Sequence, residues 1–118
     1  IEMGLNSFTN EENLDYIDYM FENYKNIDGV FATDNIATLV VKEAMKRGKK
    51  IPDDLKVVGY DGTKNSELFN PILTTIKQPI KLIAKTSIEL LIKKIEGDFS
   101  NIQSKIALPV SLIEGRTT

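Results

Sequence analysis

The chain has 118 residues, 15 basic and 17 acidic side chains, a net charge of −2, and neither cysteine nor histidine. That length allows at most one small domain, and the charge argues against the basic face that nucleic-acid binding by this segment would want. Without Cys or His there are no disulfides, no thiolate chemistry, no serine triads and few routes to a zinc site, and no apolar run is long enough to span a bilayer.

The chain opens on Ile1-Glu2-Met3 with no initiator Met and no signal peptide, so it reads as a fragment of something longer. Residues 1–5 read as a strand end, and 6–10 as a polar loop that holds one aromatic, Phe8. Thr9 or Asn10 can cap a helix, with Glu11-Glu12 in its first turn, where the helix dipole favours negative charge. That helix should run to about residue 24, with Leu14, Ile17, Tyr19-Met20-Phe21 and Tyr24 on its apolar face. Residues 28–33, centred on Gly-Val-Phe-Ala, read as a buried strand. Thr33 or Asp34 caps the next helix, 35–47, whose apolar surface is wide: Ile36, Ala37, Leu39, Val40-Val41, Ala44 and Met45. Lys46-Arg47 lie in its last turn and Gly48 stops it.

Residues 51–54 form a turn, and a strand follows at 55–60. Two βα steps with short connections predict a parallel sheet with helices on its faces and right-handed crossovers. Residues 65–71 are a polar loop carrying Leu68-Phe69, and 74–78 a β-branched strand. Pro79 opens a helix to about residue 96, with Ile80, Ile83, Ala84, Ser87, Ile88, Leu91, Ile92 and Ile95 at helical spacing and Gly97 as its stop. A last strand, 104–113, contains Pro109 and so belongs at an edge, and 115–118 is a tail.

The rest of the chain is organised around Leu-Lys-Val-Val-Gly-Tyr-Asp-Gly-Thr at 55–63. Val57-Val58 has the continuous apolar character of a strand buried on both faces. Ligands of open α/β sheets bind beyond the carboxyl ends of the strands, where Asp61 falls. A carboxylate there can accept hydrogen bonds from the hydroxyls of a sugar or another polyol; the plainer reading is that it caps its loop. Phe8 could stack on the apolar face of a sugar ring, or simply close over the core. Thr33 could offer a hydroxyl at a strand-to-helix corner, and Gln78 both a donor and an acceptor at the end of the next strand. Asp15, Asp18 and Glu22 read as a solvated face, and Lys42, Lys46, Arg47, Lys49 and Lys50 as an exposed helix end and turn. Gly59–Gly62 has no phosphate-binding frame, no acidic cluster has metal-loop spacing, and no enzyme constellation is present. No cofactor and no metal are expected.

Four stretches in register resemble the lactose-repressor (LacI/GalR) family of bacterial transcription regulators. They are Gly-Val-Phe-Ala-Thr-Asp-Asn-Ile-Ala at 29–37, Ile-Pro-Asp-Asp-Leu-Lys-Val-Val-Gly-Tyr-Asp-Gly-Thr at 51–63, Leu-Thr-Thr-Ile-Lys-Gln-Pro at 73–79 and Leu-Pro-Val-Ser-Leu-Ile-Glu-Gly-Arg-Thr-Thr at 108–118. The resemblance implies a three-layer parallel-sheet α/β sandwich of the type I periplasmic-binding-protein-like class. It implies that 1–78 and 109–118 form a C-terminal lobe, and that 79–108 crosses to an N-terminal lobe. By position, Phe8, Thr33, Asp61 and Gln78 match effector contacts; the family's ligand-gripping arginine would precede Ile1. The 35–47 helix matches the dimerisation helix, with Ile36, Leu39, Val40 and Glu43 at the interface and Phe69 of the 66–69 loop beside it.

The expected function is therefore the effector-binding and dimerisation part of a sugar-responsive, cytoplasmic DNA-binding repressor. Its partners would be a small sugar, a second copy of itself, and operator DNA through a headpiece absent from this chain; no membrane is involved. Sucrose, ribose and then other saccharides is the expected order of effectors. The alternative is an extracytoplasmic sugar-binding protein of a transporter, and the 108–118 ending and the apolar 35–47 helix favour the repressor. Without the first lobe, the stripe on the 80–96 helix would lack a partner within the chain.

Overall fold

Helices form where the apolar periodicity puts them. The computed structural model describes residues 10–64, 68–98 and 105–118. It shows α1 (Asn10–Asn23), α2 (Asp34–Lys46) and α3 (Ile80–Ile95). Both glycine stops hold. Gly48 (φ 79°) and Gly97 (φ 76°) take the left-handed conformation after α2 and α3. At the end of α2, Gly48 N–H donates to the Met45 carbonyl and Lys49 N–H to the Ala44 carbonyl, each at 3.0 Å. This pair closes the helix end as a left-handed glycine does.

The strands are β1 (Gly29–Phe31), β2 (Lys56–Asp61), β3 (Thr74–Lys77) and β4 (Ser111–Ile113), in sheet order β1-β2-β3-β4. β1, β2 and β3 run parallel, in register Val30↔Val57 and Gly59↔Thr75, as the βα steps predict. β4 joins β3 antiparallel, with Ile76 opposite Leu112, so the sheet is mixed. It lies at the edge, as expected, but begins only after Pro109; the expected strand was longer.

The core is built on one face. Ile17, Met20 and Phe21 of α1 meet Ala37, Val40, Val41 and Ala44 of α2, and these pack over Leu55, Val57 and Leu73. Phe31, expected in a buried strand, is 65 % exposed, and Gly29 beside it is exposed as well. β1 is the outer strand among the described residues, and Phe31 points away from the helices with Val58 and Tyr60. Those two are half-buried and not enclosed, whereas Val57 and Gly59 face the helices and are buried.

The last four residues are not a loose tail. Thr117 is fully buried between the starts of β2 and β3. Arg116 N–H donates to the Ile72 carbonyl at 2.6 Å, and Gly115 N–H to the Thr74 hydroxyl at 3.0 Å. A side chain on Gly115 would overlap the Ile72–Thr74 backbone, so only glycine lets the chain lie so close.

α3 buries none of its residues. The radius of gyration is 18.2 Å, against about 13–14 Å for a compact domain of this length. The stripe read from the sequence is thus exposed on a helix that stands away from the core. No helix among the described residues is long and apolar enough to cross a membrane.

Candidate ligand-binding site at the carboxyl rim of the sheet

β1, β2 and β3 all end on the same rim, and three of the four expected contacts lie there. Thr33 follows β1, Asp61 ends β2, and Gln78 follows β3. Phe8 lies outside the described residues.

Asp61 and Gln78 are joined. Gln78 Nε2 donates to Asp61 Oδ1 at 2.7 Å, and Gln78 N–H donates to the Asp61 carbonyl at 3.3 Å. Asp61 has φ 126°, which makes it the non-glycine residue with positive φ among those described. Side chains rarely adopt that conformation, and such strain concentrates at ligand sites and switches. Gly62 follows at φ 66°, and a Cβ there would run into the Lys77 backbone. The chain therefore leaves β2 by a path pressed against β3. Asp61 is half-buried, and its carboxylate is held by Gln78 through Oδ1. Such a group can accept hydrogen bonds from the hydroxyls of a polyol, while Gln78 offers an acceptor of its own.

Thr33 is the N-cap residue of α2, yet its hydroxyl makes no cap bond. It is exposed at the rim. Asp34 does not cap either: its carboxylate turns away from its own helix. Oδ2 accepts the Thr63 N–H at 2.7 Å and the Thr63 hydroxyl at 3.0 Å, and Oδ1 accepts the Thr75 hydroxyl. Reading Asp34 as a local cap missed this set of bonds. A signal was available: Gly59 interrupts an otherwise apolar strand, and a glycine there marks the close approach of another group. A Cβ at Gly59 would overlap Asp34 Oδ1.

The α2 surface departs from expectation at two positions. Val40 is 2 % exposed and belongs to the core against α1, so it is not available to a second chain. Glu43 is also turned inward. Lys46 Nζ donates to its Oε1 at 2.6 Å and Arg47 to its Oε2 at 3.0 Å, while Arg47 reaches on to Asp18 of α1 at 2.6 Å. The hydrogen bond from Lys46, then that from Arg47, outweigh the effect of burial and hold the Glu43 carboxyl below its usual range. Arg47 also lies 5.0 Å from the centre of the Phe21 ring. Asp18 and Arg47, read as solvated, are thus a tie between α1 and α2. Ile36, Leu39 and Phe69 keep part of their surface outward, and Lys42 Nζ lies 5.6 Å over the Phe69 ring. Among the described residues no acidic group could hold a metal ion.

A family model described as a periplasmic binding protein-like domain matches residues 5–118. The sucrose operon repressor of Lactococcus lactis subsp. lactis is 47% identical over 88 residues, covering 75% of this chain and 26% of that protein. The ribose operon repressor of Halalkalibacterium halodurans is 45% identical over 100 residues, covering 84% of this chain and 30% of that protein. A crystal structure of the lac repressor dimer, bound to operator and the anti-inducer ONPF, superimposes with a TM-score of 0.81 at 30% identity, covering 90% of this chain and 37% of that one. The chain thus spans between a quarter and a third of the length of these two operon repressors.

Proposed function

We propose that this chain, which belongs to the periplasmic binding protein-like domain family in the form carried by lactose-repressor-type (LacI/GalR) regulators, is the effector-binding and dimerisation part of a sugar-responsive transcriptional repressor. The observation that carries this reading is the Asp61–Gln78 pair at the rim of the sheet. The carboxylate accepts hydroxyls of a saccharide, Gln78 fixes its orientation, Thr33 adds a hydroxyl, and Phe8 stacks on the ring.

Residues 1–78 and 109–118 form one wall of the site, and 79–108 crosses to a second lobe that supplies the other wall. The wholly unburied α3 supports this division. Sugar that binds the closed form more tightly than the open one shifts the population toward closure. Closure changes how two copies meet, through Ile36, Leu39 and Phe69, and so changes the grip of a headpiece on operator DNA. On this reading the protein works in the cytoplasm, forms a homodimer and catalyses no reaction. Relatives named as operon repressors support it over a transport receptor.

A thermal-shift screen of the full-length regulator against a sugar panel tests the reading. We expect at least one saccharide to raise the melting temperature and to weaken or strengthen operator binding. A panel with no hit, or a hit with no effect on operator binding, contradicts it.

A further inference from the structure

The three rim contacts stand on separate segments: Thr33 at the start of α2, Asp61 at the exit from β2, and Gln78 beyond β3. Backbone pairing ties β2 to β3 only as far as Asp61 and Lys77. What fixes the loop beyond Asp61, and the corner that carries Thr33, must be something else.

Asp34 is bonded to all three segments. It is the residue next to Thr33, and it is 1 % exposed. Its Oδ2 holds the Thr63 N–H at 2.7 Å and the Thr63 hydroxyl at 3.0 Å, two residues beyond Asp61. Its Oδ1 holds the Thr75 hydroxyl on β3, three residues before Gln78. Burying a carboxylate is unfavourable unless it is hydrogen-bonded or paired, and the ion pairs found among the described residues do not include Asp34. Neutral donors, the Thr63 N–H and the Thr63 and Thr75 hydroxyls, satisfy it instead. The sheet also gives up a side chain for it, since any Cβ at Gly59 would overlap its Oδ1.

We infer that Asp34 is a positioning residue of the sugar site, one that sets the spacing of Thr33, Asp61 and Gln78 and holds Asp61 in its strained conformation. A φ of 126° persists only where the surroundings over-determine it. Before Asp61 the chain is fixed by the sheet; after it, by Gly62 against Lys77 and by Thr63 on Asp34. Once Thr63 is released, Asp61 relaxes to an ordinary backbone conformation, and its carboxylate turns away from Gln78. The inference rests on the rim being the sugar site.

The test is a double-mutant cycle in the full-length regulator, using whichever panel sugar stabilises the wild type. Asp34→Asn puts an amide where Thr63 N–H or the Thr75 hydroxyl needs an acceptor. We expect it to weaken that sugar at least tenfold, and we expect Asp34→Asn with Asp61→Ala to bind no worse than Asp61→Ala alone. Thr75→Val gives a smaller loss that Thr75→Ser restores, which keeps the test available if Asp34→Asn fails to fold. Sugar affinity unchanged in Asp34→Asn or in Thr75→Val, or losses that add independently of Asp61, overturns the inference and leaves the sugar site standing. A wild type that binds no sugar, or an Asp61→Ala variant that binds it undiminished, removes both.

Discussion

Val57 and Thr117 are hydrogen-bonded to each other twice: Val57 N–H donates to the Thr117 carbonyl at 2.7 Å, and Thr117 Oγ1 donates back to the Val57 carbonyl at 2.6 Å. The same hydroxyl accepts the Thr74 N–H at 3.0 Å. One buried side chain near the end of the sequence thus joins the central strand to its neighbour. Thr117→Val keeps the shape and removes both side-chain bonds, leaving a buried carbonyl and a buried N–H unsatisfied. We expect a loss of about 2–4 kcal/mol, from about 1–3 kcal/mol for each orphaned group with partial relaxation. Thr117→Ser should recover most of it. Urea unfolding of the three proteins measures this, and a Val variant as stable as wild type contradicts it.

Stability should also depend on pH through Glu43. Its folded-state pKa lies below the ordinary value of 4.5, with the Lys46 hydrogen bond as the chief cause. Its contribution is therefore complete above the unfolded value and is lost as pH falls through the folded one. Melting temperatures of wild type and Glu43→Gln should differ at neutral pH and converge as the pH falls below 4.5 and through the lowered folded-state value. A gap that stays constant into acid would show that the Lys46–Glu43–Arg47 group carries no linkage.

Six large aliphatic residues of α3, Ile80, Leu82, Ile88, Leu91, Ile92 and Ile95, are exposed. Burying each is worth ~1.5–3 kcal/mol, too much to leave in water on an ordered helix. The 118-residue chain by itself should therefore self-associate through α3, and Ile88→Lys with Leu91→Lys should reduce the association. Light scattering reads the mass. A single-chain mass together with full helicity of α3 contradicts the expectation.

Much of this molecule was legible in its residues. Apolar spacing located α1, α2 and α3, and glycine punctuation located the ends of α2 and α3. The Tyr-Asp-Gly break after Val57-Val58 located the rim, because a strand end with two glycines has few other uses. Illegible were the relations that depend on which segments meet. Asp34 reads as a cap because caps are local, whereas its partners Thr63 and Thr75 lie 29 and 41 residues away. Residues 115–118 read as a tail because a Gly-Arg-Thr-Thr ending has no apolar pattern, yet Thr117 is held by backbone groups of two strands. Val40 and Glu43 share a helix surface with Ile36 and Leu39, and only the placement of α1, with Ile17 and Asp18, turns the first pair inward. Phe31 reads as buried from strand character alone, and its place on the sheet face turned away from the helices leaves it exposed.

Asp61 offering its carboxylate to a sugar is the central claim. Calorimetric titration of the panel sugar that binds the full-length regulator, into wild type and Asp61→Ala, tests it most directly. At a sugar concentration a hundredfold above the dissociation constant, bound sugar stabilises the fold by about 2.7 kcal/mol, so parallel melts give a second reading of the same binding. Wild type should give measurable heat and a raised melting temperature, and Asp61→Ala a dissociation constant raised at least about tenfold, a loss of about 1.4 kcal/mol or more, with a smaller rise in melting temperature at the same sugar concentration. Equal dissociation constants for the two proteins would contradict it.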